Sequence, residues 1–376
     1  MRNLFFRTNL TPYRIDTYNA LHKLLNCEFF FYWDKDFSQN HDMEVLSKEC
    51  DFTPHYTEKY KFINERRKIA KGVWKILKKY NPEIVIVPEF QLIVIQVLLF
   101  KFLFRKKIKV ISMCDDSYDM VKNHRDFTLI HRLARKIIVP FMDNILLVDI
   151  RTVDWYQEKY KKGIWLPIIR DERKEIKING MIQPLTESIK LKYKLLNKKI
   201  LLYVGRLVEV KNLHTLIDAI ELTKSSFTTI IVGSGHLDKE LKEYAKTKSK
   251  EIIFIGQQNS NEVRTWFQIA DAFILPSTLE PYGAVTNEAL IAGCYSIISI
   301  QAGSACLINE TNGCHINPHS SFDISRKIDS FFTSYDKSKN INKENKMLFS
   351  FDSIITTVIQ QIYAKKKDIQ RRYLFP

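Results

Sequence analysis

The chain has 376 residues, is 45% hydrophobic and carries a formal net charge of +16. That length and apolar content suit two ordinary globular cores. Six scattered cysteines (Cys27, Cys50, Cys114, Cys294, Cys306, Cys314) form no C-x-x-C pair, which argues against a zinc site or a disulfide framework and fits a reducing compartment. Met1–Arg7 is too briefly apolar for a signal peptide, and no uncharged apolar run is long enough to span a bilayer. The expectation is a cytoplasmic protein, either soluble or peripheral on the inner face of the cell membrane. The positive charge suits nucleic acid, an anionic membrane surface or an anionic substrate, and no RNP, helix-turn-helix or zinc-finger pattern singles out the first.

In chain order, Leu4–Phe6 predicts a first strand, followed by a loop containing Thr11, Pro12, Tyr13 and Arg14. Asp16–Leu25 predicts a helix and Glu28–Trp33 a second strand. Tyr56–Tyr80 is dense in cations, among them Lys59, Lys61, Arg66, Arg67, Lys71 and Lys75, and reads as a basic, roughly amphipathic helix. Its charge is either a solvated face or a docking face for an anionic membrane. Ile84–Val87 predicts a buried strand, and Gln91–Phe104, apolar on almost every side, a helix sandwiched inside an α/β fold or, as the alternative, an interfacial helix. Lys109–Ser112 predicts another strand with Asp115 and Asp116 at its carboxyl end, where ligands gather in open α/β sheets. The pair serves either to bind an acceptor hydroxyl or to cap the following helix. Asn144–Val148 and Ile164–Leu166 close this half, and the polar, poorly patterned residues 170–199 read as a linker.

The second half opens on the strand Ile200–Val204, followed directly by Gly205-Arg206-Leu207-Val208-Glu209-Val210-Lys211. A glycine frees that turn, and two cations five residues apart can converge on one pyrophosphate. Eight of the 11 glycines fall in this half, at the ends of apolar runs such as Thr229–Val232 before Gly233 and Ile252–Ile255 before Gly256-Gln257. The strand Ala272–Leu275 leads into Pro276-Ser277-Thr278-Leu279-Glu280-Pro281-Tyr282-Gly283, and a helix is expected to open at Gly283. The amides of Gly283, Ala284 and Val285 would then seat a phosphate, and Glu280 and Glu288 would accept from sugar hydroxyls.

The pattern P-S-x-x-E-P-Y-G-x-x-x-x-E-A-L resembles the signature of the family 4 (group 1) retaining glycosyltransferases of the GT-B fold, and G-R-L-x-x-x-K resembles their diphosphate loop. The resemblance covers about residues 200–320 well and the first half only in outline. It implies an α/β protein of two Rossmann-like domains facing across a cleft: an acceptor-side domain 1–169, a linker 170–199, a nucleotide-sugar domain 200–348, and a helix 349–376 crossing back to the first domain. It further implies transfer of a sugar, with retention, from a nucleoside-diphosphate sugar to a glycan or lipid-linked acceptor hydroxyl. Arg206, Lys211 and Glu280 would be catalytic, and Gly205, Gln257, Tyr282, Gly283, Ala284, Val285 and Glu288 would bind the donor. Family members often carry a glycine-rich loop where this chain has Arg14, which either supplies a charge in place of backbone amides or sits in a simple capping turn. Many also place a histidine where this chain has Asp115 and Asp116, with His124 and His131 further on. No Asp-x-Asp motif stands at a strand end in the second domain, so no metal and no cofactor beyond the co-substrate is expected. A nucleotide-sugar epimerase would share the fold, and a basic nucleic-acid-binding protein would account for the charge alone.

Overall fold

The computed structural model describes residues 2–32, 43–57, 59–61, 68–123, 129–337 and 343–364. The chain divides into two units, residues 1–169 with 351–376, and residues 170–350. Both are built on parallel sheets covered by helices, as short uninterrupted apolar runs between helical segments require.

In the first unit the sheet contains β1 (Asn3–Arg7), β2 (Cys27–Phe31), β3 (His55–Tyr56), β6 (Ile84–Pro88), β7 (Lys109–Cys114), β8 (Asn144–Leu147) and β9 (Ile164–Trp165). A separate antiparallel hairpin joins β4 (Lys59–Lys61) to β5 (Lys68–Ala70). The large sheet runs β3-β2-β1-β6-β7-β8-β9, so its order reverses between β1 and β6. Every residue of β1 and β6 is buried, because helices cover both faces. Asn3 ties the middle of the sheet together: its side-chain nitrogen donates to the Leu25 carbonyl (2.7 Å) and its oxygen accepts from the Ile84 amide (2.9 Å). The helix Phe351–Tyr363 packs on the helix Ile15–Leu25 and on β9, and Lys109 donates to the Ile362 carbonyl.

The second unit has the order β12-β11-β10-β13-β14-β15, all parallel, reversing between β10 and β13. These strands are β10 (Ile200–Val204), β11 (Thr228–Val232), β12 (Ile252–Gly256), β13 (Ala272–Leu275), β14 (Tyr295–Ser299) and β15 (Gly313–Ile316). One face buries Leu201, Tyr203, Ile231, Ile274 and Ile297 under the helices Leu213–Glu221 and Ser321–Ser334. At the amino ends of the strands, Asp271 accepts from the Ile200 amide (2.7 Å) and the Tyr335 hydroxyl (2.8 Å).

Four sequence expectations are corrected. The stretch Tyr56–Tyr80 is not one helix but the β4–β5 hairpin and a helix Val73–Tyr80. The alternation Lys59-Tyr60-Lys61 and Lys68-Ile69-Ala70 has the period of a strand, and Gly72, at φ +75°, starts the helix afresh. Arg66 and Arg67 lie outside the described residues, as does His124. The helix Leu92–Leu103 is not sandwiched: Ile93, Val94, Val97, Leu98 and Phe100 are buried, but Leu92, Ile95, Leu99, Phe102 and Leu103 are exposed. Residues 170–199 hold two helices, Glu172–Met181 and Gln183–Lys192, which belong to the second unit. They lie on its surface and bury little besides Glu175, Ile182, Thr186 and Ile189, so they leave only a weak apolar period. Finally, the helix expected at Gly283 begins at Val285, because Gly283 stands at φ +91°.

Gly233 marks the tightest crossing in the second unit. It has φ +139°, and a Cβ there would stand 1.9 Å from the Gly205 carbonyl oxygen. Gly256 also has positive φ, but a Cβ there would meet nothing within 4 Å. Gly233→Ala should therefore cost about 3 kcal/mol or more, from overpacking added to backbone strain, and Gly256→Ala only about 1 kcal/mol. Urea-unfolding midpoints of the two variants, compared with the parent, check the difference.

Candidate active site

All strands of the second sheet are parallel, so the loops leaving their carboxyl ends gather on one edge. At the reversal point the loop after β10 meets the loop after β13. Lys211, in a short 3-10 turn Glu209–Lys211, makes an ion pair with Glu280. Both side chains are mostly buried, at 14% and 11% exposure. The backbones hold the pair in register: the Thr278 amide donates to the Val210 carbonyl (2.9 Å), and Asn212 donates to the carbonyls of Pro276 (3.2 Å) and Pro318 (2.6 Å). Beyond Glu280 the chain is stapled to the loop after β14. The Gly303 amide donates to the Glu280 carbonyl (3.2 Å) and the Ser304 amide to the Tyr282 carbonyl (2.7 Å).

Gly283 is demanded by this staple. A Cβ there would meet Leu275 Cδ2 at 2.7 Å and Ser304 Oγ at 3.0 Å. The first amide of the following turn to bond back is that of Thr286, to the Gly283 carbonyl at 3.0 Å. The amides of Gly283, Ala284 and Val285 thus precede the helix's own hydrogen bonding, as an anion seat needs.

The remaining predicted residues divide between this centre and its surroundings. Arg206 follows β10 with its side chain exposed, while its carbonyl accepts from the buried Tyr203 hydroxyl (3.0 Å). Gly205 lies under that same hydroxyl. Gln257, exposed after β12, accepts from Ser234 Oγ at 3.3 Å. Tyr282 is buried. Glu288 lies 3.5 Å from Arg170. Burial raises the pKa of its carboxyl, and Arg170 opposes that rise.

Arg170 had no signal in the sequence, because it stands in the stretch read as a linker. Its amide donates to Asn287 Oδ1 (2.8 Å), and its guanidinium lies between Glu288 and Glu175. Glu175 in turn accepts both arms of Arg264, at 2.7 and 3.0 Å. Burial alone would raise the Glu175 carboxyl, but Arg264 and then Arg170 outweigh it and hold it low. The charged chain Arg264–Glu175–Arg170–Glu288 therefore buttresses the helix Val285–Ile291.

The first unit carries a second polar centre where its own sheet order reverses. Arg7, at the end of β1, donates to Asp115 Oδ2 (2.5 Å) and to the Met113 carbonyl (3.0 Å). Arg14 pairs with the other oxygen of Asp115. Arg14 is completely buried, so it serves as a clamp on Asp115 rather than as a cation presented to solvent. Burial would raise the Asp115 carboxyl, but Arg14 and then Arg7 outweigh it and keep the pKa low. Asp116 points elsewhere: it accepts from the Tyr156 hydroxyl (3.1 Å) and lies 3.7 Å from Arg135 and 3.9 Å from His131. The helix that follows is capped by Ser117, whose hydroxyl accepts from the Met120 amide.

Glu89, one residue past β6, adds a second carboxyl group to this centre. Its φ is +36°, an unusual value for glutamate, and its backbone is locked by bonds to Met113 and Ser112. Burial pushes its carboxyl up to about 7, against the pull of Arg7. Two carboxyl groups at one switch point thus have pKa values driven in opposite directions, one raised by burial and one held low by arginines. A positive φ at a strand end is invisible in a sequence, so no signal pointed to it.

Known proteins bear on the second unit most directly. Residues 186–347 match the family model described as glycosyl transferases group 1. Over that segment, a little under half of the chain, the protein is similar to the group 1 glycosyltransferases. An uncharacterized glycosyltransferase of Methanocaldococcus jannaschii is 30% identical over 138 residues, 35% of each chain, so the match spans about a third of that relative's length. The capsular polysaccharide biosynthesis glycosyltransferase CapH of Staphylococcus aureus is 26% identical over 311 residues, covering 79% of this chain and 80% of that one. The crystal structure of Anabaena HepE in complex with UDP and glucose aligns over 96% of this chain and 98% of that one, with a TM-score of 0.67 and 16% identity. At that identity the likeness speaks for the fold, which is the GT-B fold of these glycosyltransferases.

The titration of Glu89 gives a test of the first centre. Its folded-state pKa lies above the unfolded value, so protonated Glu89 favours the folded state below about pH 4.5, and that contribution is lost as pH rises through about 7. Glu89→Gln should be near-neutral for stability at pH 5 and stabilising at pH 8, by on the order of 3 kcal/mol at most. Thermal unfolding of parent and variant across that range checks the crossover; a pH-independent difference would show that Glu89 titrates normally.

Proposed function

We propose that the protein transfers a sugar from a nucleoside-diphosphate sugar to a hydroxyl of a glycan or lipid-linked acceptor, with retention and without a metal. The observation that carries this reading is the Lys211–Glu280 pair at the switch point of the second sheet, inside the segment that matches the family. Open α/β sheets bind ligands at such points. A diphosphate arriving there would meet the exposed guanidinium of Arg206, the ammonium of Lys211 and the amides of Gly283 to Val285. Negative charge grows on the leaving diphosphate as the glycosidic bond breaks, so these groups act mainly on the transition state. Diphosphate would draw Lys211 from Glu280 and free that carboxylate to accept from donor-sugar hydroxyls. Glu288, steadied by Arg170, suits the ribose hydroxyls. HepE, a structural neighbour, holds UDP and glucose, which makes UDP-sugars the first donors to test.

In the first unit, Asp115 keeps 28% of its side chain exposed and is fixed by two arginines, so it suits an acceptor hydroxyl. Glu89 is the nearby group able to exchange a proton near neutral pH.

A thermal-shift panel of nucleotide sugars would find the donor, since a ligand at 100 times its Kd stabilises by about 2.7 kcal/mol. Transfer measured in EDTA should match transfer without it. Arg206→Ala and Lys211→Ala should lower kcat/KM at least tenfold each, by about 1.4 kcal/mol or more, with a smaller effect on sugar selectivity. Near-parental kcat/KM in both would remove them from the chemistry.

The two glutamates should separate cleanly. Glu280→Gln should keep the fold and lose most activity, whereas Glu288→Gln should mainly raise the donor KM. Equal, mild effects would make both structural. Product formed from donor alone, with no acceptor, would point instead to an epimerase.

A further inference from the structure

The helix Leu129–Ile138 has two faces of opposite character. On one, Arg135 is buried over the Trp155 ring, 5.0 Å from its centre, and His131 and Arg135 face Asp116. On the other, Leu129, Ile130, Leu133 and Ile137 are 69%, 70%, 56% and 62% exposed. Four large aliphatic side chains in three turns of one helix, all more than half exposed, are costly in water and call for a covering partner.

The apolar surface continues onto neighbouring elements. Phe141, which ends the turn after this helix, stacks edge-on against Phe102 at 5.9 Å, and both rings are more than half exposed. Phe102 lies on the helix Leu92–Leu103, whose unburied face carries Leu92, Ile95, Leu99 and Leu103. Phe104 then meets Trp74 of the helix Val73–Tyr80 at 5.6 Å, and Lys78 lies over the Phe104 ring at 4.9 Å.

The charge in the stretches that form this surface is positive, with Asp143, just beyond them, paired to Lys101 at 2.8 Å. No Asp or Glu occurs in 71–80, 91–107 or 129–142, and those stretches supply Lys75, Lys79, Arg105, Lys106, Lys107 and Lys136, all exposed. Apolar side chains ringed by cations are complementary to an anionic bilayer, whose headgroups take the charge and whose acyl boundary takes the apolar groups. A second copy of the same face would bring like charges together, and a nucleic acid would leave the aliphatic side chains uncovered. No helix among the described residues is long and apolar enough to cross a membrane, so the contact would be peripheral.

We propose that this three-helix face of the first unit docks on an anionic lipid membrane, with Ile130, Leu133 and Ile137 entering the headgroup boundary and the surrounding lysines and arginines meeting the lipid phosphates. The helix that docks also carries His131 and Arg135 to Asp116, so membrane contact and the polar centre of the first unit share one rigid element. The inference does not rest on the donor chemistry; of the stretch Tyr56–Tyr80 it keeps only the helix Val73–Tyr80 and adds the helices Leu92–Leu103 and Leu129–Ile138.

Full-length protein is sedimented with vesicles of phosphatidylcholine alone and of phosphatidylcholine with one-third phosphatidylglycerol, at 0.1 M and 0.5 M salt. Binding to the anionic vesicles should exceed binding to the neutral ones at least tenfold, weaken with salt as screening shortens, and leave a salt-resistant remainder. Ile130→Gln/Leu133→Gln/Ile137→Gln should remove that remainder and lower anionic binding at least tenfold. Arg105→Gln/Lys106→Gln/Lys107→Gln should lower binding at 0.1 M and keep the remainder. The control Ile176→Gln/Leu191→Gln, on exposed apolar residues of the second unit, should bind as the parent does. All these positions are exposed, and unchanged thermal midpoints show that the variants fold. Equal binding to both vesicle types, binding to neither, or parental binding by the Ile130/Leu133/Ile137 variant overturns the proposal. So does a parent that is dimeric in light scattering and becomes monomeric with those substitutions, since a second copy would then cover the face.

Discussion

A lysine from one loop and a glutamate from another meet over the point where the strand order of the second sheet reverses, and the candidate donor site is built around that ion pair. Burying either charge alone would cost several kcal/mol, and the pair is tolerable because each neutralises the other. The strand register supplies the geometry: β10 and β13 are neighbours, so the loops at their carboxyl ends cannot avoid one another. Everything else in the centre keeps these loops still. The Pro276 and Pro318 carbonyls hold Asn212, the loop after β14 holds the backbone of Glu280 and Tyr282, and Gly283 lets that packing close.

The first unit repeats the device with the charges rearranged. Its reversal point lies between β1 and β6, and there one carboxylate is held by two arginines while burial raises the pKa of another, on a backbone of positive φ, to about 7. The second unit thus offers cations and amides at its switch point, a setting for phosphate. The first offers carboxylates, a setting for hydroxyl groups. One fold principle used twice yields two centres of opposite chemical character.

The helices add a division of labour that neither sheet requires. Glu172–Met181 contributes almost nothing to the apolar core, yet it carries Glu175 to Arg264 and, through Arg170, braces Glu288. Leu129–Ile138 and Leu92–Leu103 each bury one side and leave the other apolar and uncovered. Helices of an α/β unit usually turn polar faces outward, so the apolar outer faces of these two set them apart.

Local chemistry was legible without a structure. Apolar runs such as Ile200–Val204 and Ala272–Leu275 announced buried parallel strands, and the glycines after them announced the turns, because burial on both faces and positive φ leave direct marks on residue choice. Arg206, Lys211, Glu280 and Gly283 stand out as candidates because they follow strand ends and lie in motifs that resemble those of a known family. Hidden from the sequence were the partners. Arg7 finds Asp115 across 108 residues and Lys211 finds Glu280 across 69, and which strand ends adjoin depends on sheet order, not on spacing. Arg14 reads equally as a charge for a ligand or as part of a capping turn until its complete burial against Asp115 makes it a clamp, and nothing in the sequence marks the burial that raises the Glu89 carboxyl. The cation-rich stretch after Tyr56 and the apolar one after Gln91 misled in opposite directions, since a lysine fits a helix or a hairpin equally well, and a leucine reads the same whether it faces a core or open solvent. Periodicity is a property of a few neighbouring residues; exposure and ion pairing belong to the whole packed unit, and only the tertiary structure decides them.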